Sequence, residues 1–228
     1  LNFKIINKSK LFDYSVNKNS LSFNSANNYF KGNLDYKPFY LSSDFSFNQL
    51  DIKKIFKNNS IFLNLLNSKI LNNQNLNALV NININKIKGQ NNLENIYLKT
   101  YFEEGNIIIK NSTLNWYDAI LINLNDIQLF NENNQLSIAG DITFNFTDID
   151  RFFSHYQIKK NYRKKIKKIR LNFLLDLAEN KIQFDNLKTD GISSKKTDNF
   201  LNKVNSKQIN IFKKILFKNL IKDFFDNS

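Results

Sequence analysis

Residues 136–146 read LSIAGDITFNF, with TDIDRFF directly behind them at 147–153. Leu136, Ile138, Ile142, Phe144 and Phe146 alternate with Ser137, Ala139, Asp141, Thr143 and Asn145. Gly140 falls on the apolar side, where the backbone can bend or meet something closely. A period of two over this length predicts a strand with one greasy face and one wet face. Fully extended it would run roughly 35 Å, beyond the usual strand. Burying five such side chains would stabilise the chain by roughly 7–15 kcal/mol, an upper estimate because unfolded chains already hide some surface. Function turns on what that face meets: a second sheet, a helix or a lipid.

The same alternation runs upstream. Leu76, Ala78, Val80, Ile82 and Ile84 alternate with asparagines, Gly89 to Asn92 forms a turn, and Ile96, Leu98, Thr100 and Phe102 give the next face. Ile107 to Lys110 and Leu114 to Trp116 follow, then Ile120, Ile122 and Leu124, with Ile127 and Leu129 beyond. Strands joined by short polar turns predict an antiparallel meander over this region rather than βαβ units. Residues 1–50 read as shorter strands around Phe3, Leu21, Tyr29–Leu34, Phe39 and Phe45, with Pro38 at a turn or edge. Between the two sets the period changes. Asp51 is placed to cap a short helix carrying Ile52, Ile55 and Phe56, and Ser60 a second turn with Ile61, Phe62, Leu65 and Leu66.

Downstream, Thr147 or Asp148 is placed to cap a helix carrying Ile149, Phe152, Phe153 and Tyr156. The densest charge follows as KKNYRKKIKKIR, Lys159 to Arg170, in which Tyr162, Ile166 and Ile169 keep one apolar face at helical spacing. Leu171 to Leu177 and Ile182 to Phe184 read as a hairpin, Lys195 to Lys207 as a polar segment, and Ile209 to Phe224 as an amphipathic stretch. The expected fold is therefore mainly β, a long curved antiparallel sheet, groove-like or a partly open barrel or sandwich, with a few short amphipathic helices. The expected division is a β-groove segment at 1–192, with helices near 51–71 and 148–168, and a polar linker with a C-terminal amphipathic segment at 193–228.

Composition narrows the classes. The chain has 228 residues with one Pro, five Gly, and neither Met nor Cys. Lacking Met and opening in mid-pattern on Leu1, it reads as a piece of a longer protein, with any targeting segment upstream. The surplus of Asn, Lys, Ile and Phe is what AT-rich codons give, so part of the net charge of +13 is compositional. No apolar run approaches the ~18–20 residues needed to span a bilayer. Without Cys and with one histidine, His155, disulfides and tetrahedral zinc sites fall away. His155 beside Phe152, Phe153 and Tyr156 reads as a surface or part-buried side chain, and Asp148 and Asp150 as capping carboxylates. No phosphate loop, nucleophile elbow or zincin motif is present. The chain is read as no enzyme, with no cofactor and no metal.

The basic run has two readings, a solvated face or contact with anionic phosphate groups of a lipid surface, and its candidates are Lys159, Lys160, Arg163, Lys164, Lys165, Lys167, Lys168 and Arg170. Nucleic acid is not expected, because the aromatics lie with the aliphatics and no recognisable binding module surrounds the run. Trp116 and Tyr117 read as packing.

The succession GNLDYKPFYLSSDFSFNQLDIKKIF (Gly32–Phe56), LNALVNININKIKGQNNLENIYLKTYFEEGNIIIKNSTLNW (Leu76–Trp116) and LSIAGDITFNFTDIDRFF (Leu136–Phe153) resembles the C-terminal region of AsmA-like proteins. The shared features are a strand leading into an LDL-type helix, an alternating L-x-I-x-I strand, and a GdI…DI..F strand-to-helix step, over roughly residues 30–190. The resemblance implies a periplasmic segment held to the inner membrane of a Gram-negative bacterium by an upstream anchor. It also implies kinship with bridge-like lipid-transfer proteins of the TamB group, linked to outer-membrane biogenesis and phospholipid transport. The implied partner is phospholipid or another membrane lipid, lying against an apolar β-groove. Candidate liners are Val80, Ile82, Ile84, Ile120, Ile122, Leu124, Ile138, Ile142 and Phe144. The alternative is a structural or adhesive β-sandwich without cargo; a nucleic-acid-binding module is the weaker one.

Overall fold

A computed structural model describes residues 2–7, 10–25, 27, 29–55, 57, 60, 64–66, 68, 70–132, 135–176, 179, 181–206, 219 and 221–225. The chain is mainly β with short helices, as its alternating pattern predicts. It divides into two compact units, Leu1–Ser112 and Thr113–Ser228.

In the first unit the strands are β1 (Asn2–Asn7), β2 (Lys10–Val16), β3 (Ser20–Ser25), β4 (Phe30–Tyr36), β5 (Phe39–Leu50), β6 (Ala78–Ile87), β7 (Gln90–Glu103) and β8 (Asn106–Ile109). They lie side by side in chain order, each pair antiparallel except β5 with β6. That parallel pair is a finding beyond the meander pattern. The change of period at Asp51 marks it: parallel neighbours need a crossover, and the chain spends residues 51–77 on one. The crossover holds α1 (Ile52–Ile55), helical residues 64–66 and a 3-10 turn at Ile70–Asn72. Leu66 is buried, and the Asn72 amide donates to the Gly105 carbonyl at 2.9 Å, tying the crossover to the β7–β8 turn. Of the helical side chains expected here, Phe56, Ile61 and Phe62 lie outside the described residues.

The second unit holds β10 (Ile120–Glu132), β11 (Gln135–Phe146), β12 (Lys168–Asp176) and β13 (Lys181–Thr189), antiparallel in that order. β9 (Ser112–Trp116) pairs with β10. The opening stretch is β11, paired on both sides along most of its length. Gly140 lies opposite a bulge in β10, where Asp126 adopts φ 50° and the register shifts between Asn125 and Gln128.

Two expectations are corrected in this unit. Helix α2 runs over Ile149–Tyr156, capped by the Asp148 carboxylate accepting from the Arg151 N–H at 2.9 Å. It ends there instead of continuing towards 168. Gln157 turns left-handed, and the Ile158 N–H donates back to the Phe153 carbonyl at 2.9 Å, a closure that ends the helix. Beyond it come a 3-10 turn (Lys160–Tyr162) and an extended strap that enters β12 at Lys168. The second correction concerns Lys195 to Lys207. Residues Lys195–Ser206 form helix α3, so 193–206 is no linker and the unit boundary lies at 112/113 rather than 192/193. Ser194 and Thr197 cap α3 reciprocally. The Thr197 N–H donates to Ser194 Oγ at 3.2 Å and the Ser194 N–H to Thr197 Oγ1 at 2.9 Å. Thr197, Leu201 and Val204 are its buried stripe. Residues 221–225 are helical, with Phe224 and Phe225 buried; the apolar side chains from Ile209 to Phe217, and Leu220, lie outside the described residues.

Candidate functional site

Strand register decides which side chains share a face. In the first unit one row crosses the sheet as Val16, Leu21, Leu34, Leu41, Ala78, Phe102 and Ile107. Parallel rows run Phe30, Phe45, Ile82, Leu98 and Phe47, Ile84, Ile96. Phe23, Phe30, Phe45 and Phe47 follow one another along this face with ring centroids 5.9, 6.1 and 6.4 Å apart. Val80 and Ile82 are half-buried there and Ile84 is buried. Between the rows Gly32 faces Ser43, whose buried Oγ has no hydrogen-bond partner. The opposite face is mixed, with Leu79, Tyr101 and Ile108 in one row beside a polar network. Ser22 Oγ donates to Asn33 at 2.8 Å, Asn33 Nδ2 to Asp35 at 2.7 Å and Asn81 Nδ2 to Asp44 at 2.8 Å.

The second unit repeats this division. Its apolar rows are Ile122, Phe144, Ile169; Leu124, Ile142, Leu171; and Leu129, Ile138, Leu175, Ile182. All six liners expected here lie on that face. Ile120 and Ile122 are buried, and Leu124, Ile138, Ile142 and Phe144 are half-buried. Three helical pieces cover one end of the face. Phe152 and Tyr156 of α2 meet Trp116, with ring centroids 5.7 and 5.9 Å away, so Trp116 and its neighbours pack as the sequence suggests. Phe153 meets Phe225 at 5.0 Å. Burial, with Tyr117 nearby, pushes the Tyr156 phenol well above its ordinary range.

Between sheet and helices lies a cavity of about 130 Å³ whose lining is entirely apolar. Ile120, Phe144, Ile169 and Leu171 supply its floor, and Phe152, Leu201, Val204, Phe224 and Phe225 its roof. Sequence reasoning found the floor and missed Leu201 and Val204, because α3 was read as polar. The S-x-x-T capping pair ahead of them was the signal. A pocket so lined suits hydrocarbon and offers no partner to groups needing hydrogen bonds. Among the described residues no group of three His, Cys, Asp or Glu is placed to hold a metal ion. His155 is exposed, its ring 3.7 Å from that of Tyr117.

The basic residues surround the strap at the same end of the sheet. Ile158, Ile166 and Ile169 are buried while Lys159, Lys160, Arg163, Lys164, Lys165, Lys167, Lys168 and Arg170 are all exposed. Arg163 Nε donates to the Ile158 carbonyl at 3.0 Å and its guanidinium lies 5.8 Å from the Phe153 ring centre. Arg170 pairs with Asp141 at 2.6 Å, on the polar side of the sheet. Among the described residues no carboxylate ion-pairs with the six lysines. In comparisons with known proteins, no family model, curated protein or solved structure matches this chain.

Proposed function

We propose that this protein is a non-enzymatic lipid-handling chain in which hydrocarbon tails lie along the apolar sheet faces and slide without chemical change. One observation carries the reading: in each unit apolar side chains from successive strands line up in rows on one sheet face, and many of them, among them Val80, Ile82, Leu124, Ile138, Ile142 and Phe144, remain half-buried. The apolar pocket beneath α2 and α3 supports the same reading, because its lining offers surface to hydrocarbon and no hydrogen-bonding groups. In the AsmA-like setting suggested by the quoted stretches, the chain would stand on the periplasmic side of the inner membrane, held by an upstream anchor. Phospholipid would be its cargo and outer-membrane biogenesis its context.

The test is native mass spectrometry with lipid extraction on protein expressed in a Gram-negative periplasm. Co-purified phospholipid is expected, and its loss when Ile82, Ile142 and Phe144 become Asn while the far-UV β signal persists. A stable, lipid-free protein that also takes up no lipid from vesicles would replace this reading with a structural β-protein whose apolar faces are closed.

A further inference from the structure

We propose that the strap following α2, together with the β13–α3 turn, is a docking face for an anionic bilayer surface. This goes beyond chain binding in the sheet face, because it rests on charge and exposure and stands if that reading fails. From Arg151 to Leu175 the chain has no acidic residue. Burial of Ile158, Ile166 and Ile169 turns the intervening cations outward as a group. The turn at 189–192 is fastened to the strap. Asp190 Oδ1 accepts from the Lys167 and Lys168 N–H groups at 3.0 and 2.8 Å, and the Asp190 N–H donates to the Lys168 carbonyl at 2.8 Å. On that turn Ile192 is 68% exposed, more than any other large apolar side chain among the described residues. Lys195 and Lys196, both exposed, begin α3 directly after it.

The composition of the face selects its partner. Of its two arginines, the side chains suited to bidentate phosphate or base recognition, Arg170 is paired with Asp141 and Arg163 is held through Nε by the Ile158 carbonyl. What remains is lysine, a diffuse positive field, around one projecting isoleucine. No aromatic platform for stacked bases is presented, since Tyr162 is half-buried. Headgroup phosphates answer the lysines and the acyl boundary answers Ile192.

The experiment is flotation of the whole chain with vesicles of phosphatidylcholine alone, or mixed equally with phosphatidylglycerol. Binding to the mixed vesicles only is expected, abolished near 1 M salt, where the screening length is about 3 Å. The triple variant Lys160→Gln, Lys164→Gln, Lys165→Gln lowers partitioning about a hundredfold. Ile192→Ser lowers it about tenfold. Both keep the wild-type far-UV spectrum and the wild-type uptake of a fluorescent fatty acid measured without vesicles, so docking and chain binding fail separately. Equal binding to both vesicle types, or no binding, overturns the proposal. So does tighter binding to an oligonucleotide that Ile192→Ser leaves unchanged.

Discussion

A single carbon added at Gly140 would sit 2.6 Å from Ile127 Cδ1, 2.7 Å from Ile127 Cα and 2.9 Å from the Asp126 carbonyl oxygen. Two of those neighbours are backbone, so trimming the isoleucine cannot make room. Gly140→Ala is expected to cost about 1–3 kcal/mol in urea unfolding, and to cost nearly as much in an Ile127→Ala background. The bulge behind this contact was legible, because the apolar phase in β10 slips from even to odd numbers between Leu124 and Ile127. That the bulge would face Gly140 was not, since register across a hairpin depends on the turn. Tyr156 gives a second test at this scale. Its folded phenol titrates above the unfolded value of about 10, so the protonated form is the one the fold favours. The stabilisation linked to it is complete below pH ~10 and is lost as pH rises from there through the folded value. Tyr156→Phe removes that part of the alkaline fall, read by unfolding across a pH series with ultraviolet absorbance following the phenolate.

Helix starts were easier to read than helix stops. Asp148 ahead of an apolar run announces α2, whereas its end depends on Gln157 taking a left-handed turn that carries no glycine to mark it. The spacing of Tyr162, Ile166 and Ile169 satisfies any path that keeps these side chains inward, helical or extended, so the basic run looked like a helix without being one. In α3 only Phe200, Leu201 and Val204 interrupt a polar string, and tertiary burial rather than composition makes the helix. Ser194→Ala is expected to cost about 1 kcal/mol of stability, with a loss of far-UV helical signal confined to this element.

Across the whole chain, alternation made strand content legible and left pairing less so. Strands consecutive in sequence became neighbours nearly everywhere and paired antiparallel, and the one parallel pair, β5 with β6, follows from a crossover whose length an antiparallel pair does not require. The main face of each sheet was readable, since all nine side chains named from alternation share it within their unit, whereas Leu79, Leu121 and Leu174 lie on the other side. The cavity was not readable, because it exists only where three helical pieces approach a sheet end from different parts of the sequence. Val204→Leu adds one methylene to its roof. Stability is expected to rise by about 0.8 kcal/mol by calorimetry, with weaker uptake of a fluorescent fatty acid, as the void and the ligand compete for one space.

One side chain in α3 has a reach beyond its own helix. The Asn205 carboxamide accepts from the Phe184 N–H at 2.9 Å and donates to the Phe184 carbonyl at 2.8 Å, the two bonds an added strand would make. β13 ends the strand order, so this amide works like the terminator in a chain-growth polymerisation, saturating the growing end with a group that cannot propagate. Asn205→Ala frees that end. A protein with one greasy sheet face and a live edge is then a monomer in the chemist's sense, and thioflavin-positive fibrils with a concentration-dependent lag are the expected product.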